Sequence, residues 1–321
     1  MTRAMAFQLD FVTLDVFTTE IFEGNPLGVV FLPPPTSPQL TQSQKQTIAR
    51  EFNLSETIFV HDKASGSSGS RTIDIFTESV ELPFAGHPTI GAASWLLCHA
   101  AEKDSNGNAV VQNLLMKAGR VPISVQNSQA KTVTAHVAHN VHIHETQYPL
   151  GEVSRLYPSL QAYLEPEKIA LFSVVKGMSQ LLIELPSLEA LGAVTTAYGG
   201  QEASASYLDE GWAEGMVCTY FFVRDVDDEK LGRKVIRSRT ILGNLEDPAT
   251  GSAASGLAAY LSLTEGRAGE FKYDVVQGVE MGRRSEIGVE VGFREGSKIE
   301  KLVLKGSAVK VSEGKIVVPQ A

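Results

Sequence analysis

Gly86-His87-Pro88-Thr89-Ile90-Gly91-Ala92-Ala93-Ser94 and Glu246-Asp247-Pro248-Ala249-Thr250-Gly251-Ser252-Ala253-Ala254-Ser255 are two versions of one phrase. Set against each other on Pro88 and Pro248, they place His87 and Asp247 at matching positions. A proline suits a first helical turn, where its missing N–H had no partner anyway, and the small residues that follow suit a closely packed helix surface. The pattern predicts two helix N-termini, each headed by an ionisable side chain. It therefore predicts two related halves able to build an acid/base site.

Beyond these starts, Ile90, Ala92, Ala93, Trp95, Leu96 and Leu97, and then Ala253, Ala254, Leu257, Ala258, Tyr260 and Leu261, run round most of each helix. A helix apolar on nearly all sides is a buried one. Short β-branched or aromatic segments bounded by Gly, Pro, Asn or Ser surround them, among them Phe7 to Val16, Leu27 to Leu32, Thr57 to Val60, Thr72 to Phe76, Leu181 to Leu185, Val217 to Val223 and Ile287 to Val291. Such runs read as strands. The fold expected is α+β: two pseudo-symmetric halves, each a mostly antiparallel or mixed, barrel-like sheet wrapped round a central buried helix. Residues 1–118, joined by a closing strand at about 314–321, form the first half and 119–313 the second. A length of 321 residues suits two domains at roughly 150 residues each. An outer helix is expected from Ser37 as N-cap and Pro38 in its first turn, burying Leu40, Ile48, Ala49 and Phe52.

Composition removes several functional classes. A net charge of −9 without a basic stripe disfavours nucleic acid and anionic membrane surfaces, which need clustered Lys and Arg. Two cysteines, Cys98 and Cys218, each in an apolar run, give no disulfide framework and fit a reducing compartment. No stretch of eighteen apolar residues occurs, and the N-terminal residues lack the apolar region of a signal peptide, so a cytoplasmic protein is expected.

The helix starts are the first candidates for chemistry. Free amides and the positive end of the helix dipole favour a bound anion by about 0.3 to 1 kcal/mol per terminus, and glycine lets a ligand approach, so a small carboxylate is the expected substrate. A lone glycine-headed helix is better read as close packing; the recurrence of the motif with ionisable neighbours reverses that preference. Glu56, in Asn53-Leu54-Ser55-Glu56-Thr57, stands between the outer helix and an apolar strand, a place where a glutamate is ordinarily solvated. His136, His139, His142 and His144 form the densest histidine cluster, but their spacing on one short segment does not converge without a further ligand, and no metal is expected. There is no Gly-x-Ser-x-Gly elbow and no phosphate-binding Gly-Lys-Ser/Thr loop.

Taken together, Asp15-Val16-Phe17-Thr18 with Gly24-Asn25-Pro26-Leu27, Asn53-Leu54-Ser55-Glu56-Thr57, Phe84-Ala85-Gly86-His87-Pro88-Thr89, Glu246-Asp247-Pro248-Ala249-Thr250-Gly251-Ser252-Ala253 and Gln277-Gly278-Val279-Glu280-Met281-Gly282-Arg283 resemble the phenazine-biosynthesis (PhzF-like) isomerase family, in family order and across almost the whole chain. The resemblance implies a diaminopimelate-epimerase-like fold, no cofactor, and a homodimer. It implies that Glu56 is the general acid/base in a cleft between the halves, with His87 and Asp247 orienting the substrate or assisting the transfer. Gly86, Gly251 and Ser252 would hold the substrate carboxylate, and Asn25 is a further contact. Related racemases use two cysteines at the helix starts; Ala85 and Pro248 stand at about those places here, which disfavours a two-thiol mechanism.

The expected activity is a cofactor-independent isomerisation that moves a proton on a small carboxylate metabolite. The alternatives are an epimerase, racemase, lyase or cyclase sharing the proton shuttle, since fold does not fix substrate, or an inactive metabolite-binding protein. Three ionisable groups in the motifs favour an enzyme over a binder.

Overall fold

The structure is a computed structural model and describes residues 7–62, 69–100, 107, 109–265, 268–294 and 298–320. The chain divides into two compact units, Met1–His136 with Lys305–Ala321, and Val137–Leu304. The join thus lies after His136 rather than after residue 118, and the returning segment starts at Lys305 rather than near 314. Strand pairing is the reason, because the hairpin that starts at Gly119 completes the sheet of the first unit instead of opening the second.

The first unit runs β1 (Gln8–Val16), β2 (Asn25–Phe31), α1 (Gln42–Phe52), β3 (Thr57–Val60), β4 (Ser70–Phe76), β5 (Glu81–Leu82), α2 (Gly86–Ser94), β6 (Asn113–Met116), β7 (Gly119–Asn127) and β8 (Thr132–His136). The second runs β9 (His142–Ile143), α3 (Leu150–Leu156), β10 (Ile169–Val175), β11 (Met178–Glu184), α4 (Leu188–Gly192), β12 (Met216–Asp228), β13 (Arg233–Leu242), β14 (Leu245–Asp247), α5 (Gly251–Glu265), β15 (Gly269–Gln277), β16 (Ser285–Arg294) and β17 (Lys298–Gly306). The closing strand β18 (Ala308–Val317) returns to the first unit and lies antiparallel to β1, from Gln8 opposite Val317 to Val16 opposite Ala308. This is a mixed α+β fold with few helices.

Both units repeat one order of pairing. β1–β2 and β10–β11 are antiparallel; β2–β3 and β11–β12 are parallel. β3–β4 and β12–β13 are antiparallel, as are β4–β5 and β13–β14; β4–β6 and β13–β15 are parallel. The helix that follows the short third hairpin strand lies on the first two strands of its own unit. A Cβ on Gly91 of α2 would stand 2.3 Å from Leu27 of β2, and one on Gly256 of α5 would stand 2.4 Å from Gln180 of β11.

This repetition corrects the register read from the sequence. Pro88 is the third residue of α2, whereas Pro248 precedes α5. Leu82 pairs with Ile75 as Asp247 pairs with Thr240. The structural counterparts are therefore Pro83 and Pro248, Gly86 and Gly251, and Gly91 and Gly256. His87 corresponds to Ser252, and Asp247 to Leu82.

α1 begins at Gln42, four residues after the expected Pro38 start. Thr41 accepts from the Gln44 amide while the Gln44 side chain accepts the Thr41 N–H, a reciprocal cap that satisfies two orphan donors and that Ser37 has no residue to complete. The Ser37 amide instead closes a turn onto Pro34. α1 turns Ile48 and Ala49 onto Leu9, Val30, Leu32, Phe59 and Phe76, with Phe59 and Phe76 meeting edge to face. α2, by contrast, is buried at every residue. Among the described residues, no helix is long and apolar enough to cross a membrane.

Candidate active site

In the first unit the outer helix sets the position of Glu56. Asn53 ends α1 with φ of 51°, donating its N–H to Ala49 and Arg50, a left-handed cap that asparagine tolerates well. The chain then reaches β3, whose first residue, Thr57, is fully buried opposite Gly28. Glu56 therefore stands at the foot of a buried strand with only 17% of its side chain exposed. Burial pushes its carboxyl from 4.5 up to about 7, against the opposing hydrogen bond from Ser55.

His87 and Asn25 share this corner with Glu56. The Glu56 Oε2 atom is 3.3 Å from His87 Nδ1, and Asn25 Nδ2 is 3.4 Å from the same nitrogen. Ser55 Oγ reaches Asn25 Oδ1 at 3.5 Å. Asn25 is held at the start of β2 by a turn with specific demands. Gly24 has φ of 68°, a Cβ there would lie 2.3 Å from the Val16 carbonyl, and the Asp15 carboxylate accepts the Phe22 N–H at 2.6 Å. The imidazole can serve either state of its neighbour. An Nδ1–H donates to the Glu56 carboxylate, and a bare Nδ1 accepts from Asn25 or from a protonated Glu56.

The helix starts supply amides. In α2 the first intrahelical bond runs from Thr89 N–H to Ala85, so the amides of Gly86 and His87 lie ahead of it and Pro88 has none. In α5 the first runs from Ala254 N–H to Thr250, leaving the amides of Gly251, Ser252 and Ala253 at the helix mouth. Beside that mouth the Thr250 hydroxyl donates to Asp247 Oδ2 at 2.6 Å. Glu56, His87, Asn25 and Gly86 are thus gathered in the first unit, and Asp247, Gly251 and Ser252 in the second. Sequence reading missed Thr250 and Gln277; the position of Thr250 one residue ahead of a helix was the available signal for the first.

Cys218 is the second unit's counterpart of Glu56. Thr57 stands opposite Gly28 as Thr219 stands opposite Leu181, which makes the preceding residues equivalent. Burial and the nearby Asp247 charge push the Cys218 thiol up to about 12. It stays a thiol at neutral pH, so of this pair only Glu56 can exchange a proton there. Ala85 and Thr250, rather than Ala85 and Pro248, stand at equivalent places ahead of the two helices.

His142, His144 and Asp209 bring one potential ligand atom each within 4.8 Å of the others. Their polar atoms already serve one another. Asp209 accepts from His142 Nε2, from the amides of Glu145 and Thr146 and from the Thr146 hydroxyl. The Asp209 amide donates to His144 Nδ1, whose Nε2 meets Ser173 at 2.8 Å. Burial holds His144 below the usual histidine value, hence neutral. Trp212 stacks on His142 at 4.7 Å, and the cluster fastens the segment around Asp209 to β9. His139 lies apart, bonded to the carbonyls of Val137 and Ile299.

The model of the phenazine biosynthesis-like protein family matches residues 14–314. An uncharacterized isomerase of Mesorhizobium japonicum is 32% identical over 312 residues, covering 96% of this chain and 98% of its own. The trans-2,3-dihydro-3-hydroxyanthranilate isomerase of Pseudomonas fluorescens is 29% identical, covering 96% and 99%. Among solved structures, the PhzF-family phenazine biosynthesis protein of Bacillus anthracis superposes with a TM-score of 0.76 at 21% identity, covering 97% of this chain and all of that one.

Proposed function

This chain belongs to the phenazine biosynthesis-like family, and from that premise we propose that it is an isomerase moving a proton on a small, carboxylate-bearing metabolite by general acid/base catalysis without a cofactor. Glu56 carries the proton. The observation that carries the reading is its carboxyl, raised to about 7 by burial and 3.3 Å from His87. A group with that value takes a proton from carbon as the carboxylate and returns it as the acid at neutral pH, which matched acid/base catalysis requires. His87, steadied by Asn25, donates from Nδ1 to the Glu56 carboxylate and so holds it in place in its ionised state. The amides at Gly86, Gly251 and Ser252 bind the substrate carboxylate, and Asp247 orients the substrate or assists the transfer. In this reading the sheet of each unit wraps its buried helix in the diaminopimelate-epimerase-like manner, and the protein acts as a cytoplasmic homodimer.

The test uses trans-2,3-dihydro-3-hydroxyanthranilate as probe, in deuterated water, followed by NMR. Wild-type protein is expected to shift a double bond with solvent deuterium incorporated, and kcat/KM to rise through pH about 7 as Glu56 ionises. Glu56→Gln is expected to fold and lose at least about 10²-fold of turnover. Full activity in that variant refutes the role of Glu56, and an inverted stereocentre in place of a moved double bond makes the enzyme an epimerase.

A further inference from the structure

The Gln277-Gly278 motif lies at the end of β15, outside the groups assigned above, yet Gln277 is completely buried and both of its side-chain polar atoms reach the turn that leads into α5. Its Nε2 carries two hydrogens and has three acceptors in reach, the Asp247 carbonyl at 2.7 Å, Thr240 Oγ1 at 3.0 Å and Thr250 Oγ1 at 3.1 Å. Its Oε1 accepts the Thr250 N–H at 3.2 Å and the Tyr220 hydroxyl at 3.3 Å. Gly278 has φ of 74°, and a Cβ there would come within 2.7 Å of the Pro248 carbonyl. The motif thus underlies the whole turn from Asp247 to Thr250.

We infer that Gln277 is a positioning residue that aims the Asp247 carboxylate and sets which amides of α5 face a ligand. Three consequences of its bonds make the case. Thr250 Oγ1 has a single hydrogen and two acceptors in reach, Asp247 Oδ2 at 2.6 Å and Thr240 Oγ1 at 2.8 Å. The Asp247 carbonyl, the nearest acceptor, takes one of the two amide hydrogens and the threonine pair shares the other, so the Thr250 hydrogen goes to the charged carboxylate, the stronger acceptor. The Asp247 main chain is pinned through its carbonyl by the same nitrogen, so backbone and side chain are fixed together. Oε1 removes the Thr250 amide from competition, leaving those of Gly251, Ser252 and Ala253 for an anion. A buried amide satisfied on both ends holds such a turn rigidly, because every alternative leaves a desolvated polar group unpaired.

The inference rests on the role proposed for Asp247, and two arms separate their failures. The first needs no substrate: hydrogen–deuterium exchange on full-length Gln277→Met, a side chain of similar length without hydrogen bonds. Exchange at the Thr250 amide, the one Gln277 accepts, is expected to quicken about tenfold while the body of α5 keeps its protection. The second measures turnover of trans-2,3-dihydro-3-hydroxyanthranilate. Gln277→Met is expected to lower kcat about 10- to 100-fold with KM within about threefold, the signature of misplaced groups rather than lost binding. Added to Asp247→Asn it should cost less than about threefold more, because the two act as one unit. Gln277→Glu keeps the acceptor for Thr250 but loses the donors, so it should retain amide protection and still lose turnover; it also serves if Gln277→Met does not fold. Unchanged exchange at Thr250 in Gln277→Met, unchanged turnover in Gln277→Glu, or losses that multiply in the double variant, overturn the inference. If wild-type protein leaves the probe untouched, the proposed substrate class fails, and the exchange arm alone decides the role of Gln277.

Discussion

Glu56 combines two properties that seldom occur together in a glutamate, a position at the foot of a buried strand and a titration near neutrality. The second has a thermodynamic consequence independent of any substrate. The folded chain holds a proton between pH 4.5 and about 7 that the unfolded chain releases, so the stability tied to this group is full below about 4.5 and is lost as pH rises through 7. Glu56→Gln has no charge to desolvate. Its stability should match wild type near pH 4 and exceed it by up to about 3 kcal/mol above pH 7, measured by urea unfolding at a series of pH values. A pH-independent difference would mean that the carboxyl is solvated. At this scale much of the site was legible, because Glu56, His87, Asn25 and Asp247 sit in motifs that a reader can see. Gln277 was visible only as part of a motif; the atoms it bonds come from Thr240, Asp247 and Thr250, distant in sequence.

Elements were legible where local chemistry decides them. The strand over Thr57–Val60 coincides with the run read there, and Met178–Glu184 and Met216–Asp228 contain most of the runs read at Leu181 to Leu185 and Val217 to Val223. β15 was missed although Glu270, Lys272 and Asp274 alternate with Phe271, Tyr273 and Val275 in the period-two pattern of a half-buried strand, which pairs with β13 and β16. β10, Ile169–Val175, is an apolar run broken only by Ser173, which periodicity cannot separate from a buried helix. The start of α1 shows capping outweighing proline. Thr41→Ala should cost about 1 kcal/mol in thermal or urea unfolding with turnover unchanged, the usual worth of such a cap. No loss would mean that tertiary packing of Ile48 and Ala49 alone sets where the helix begins.

The whole molecule depends on β18 returning from the far end of the chain to pair with β1 along nearly its full length. Ser307 accepts the Phe17 N–H, the Ala308 carbonyl meets His99, and Gly306 lies where a Cβ would strike the Phe17 ring. A chain ended after Leu304 should therefore lose the cooperative unfolding of its first unit, seen as rapid proteolysis within Met1–His136; retained resistance would mean that β18 is dispensable. From sequence alone followed the duplication, the α+β class and the family motifs, because these rest on residue types and spacings within short windows; the resemblance those motifs carry, rather than the residues around it, singled out Glu56. The tertiary structure alone decided the register of the duplication, the unit boundary at His136, the pairing of Glu56 with Cys218 as counterparts and the hold of Gln277 on Asp247. Each of these is fixed by strand pairing or hydrogen bonds between residues tens of positions apart, and no local pattern in the chain records which distant partner satisfies a buried group.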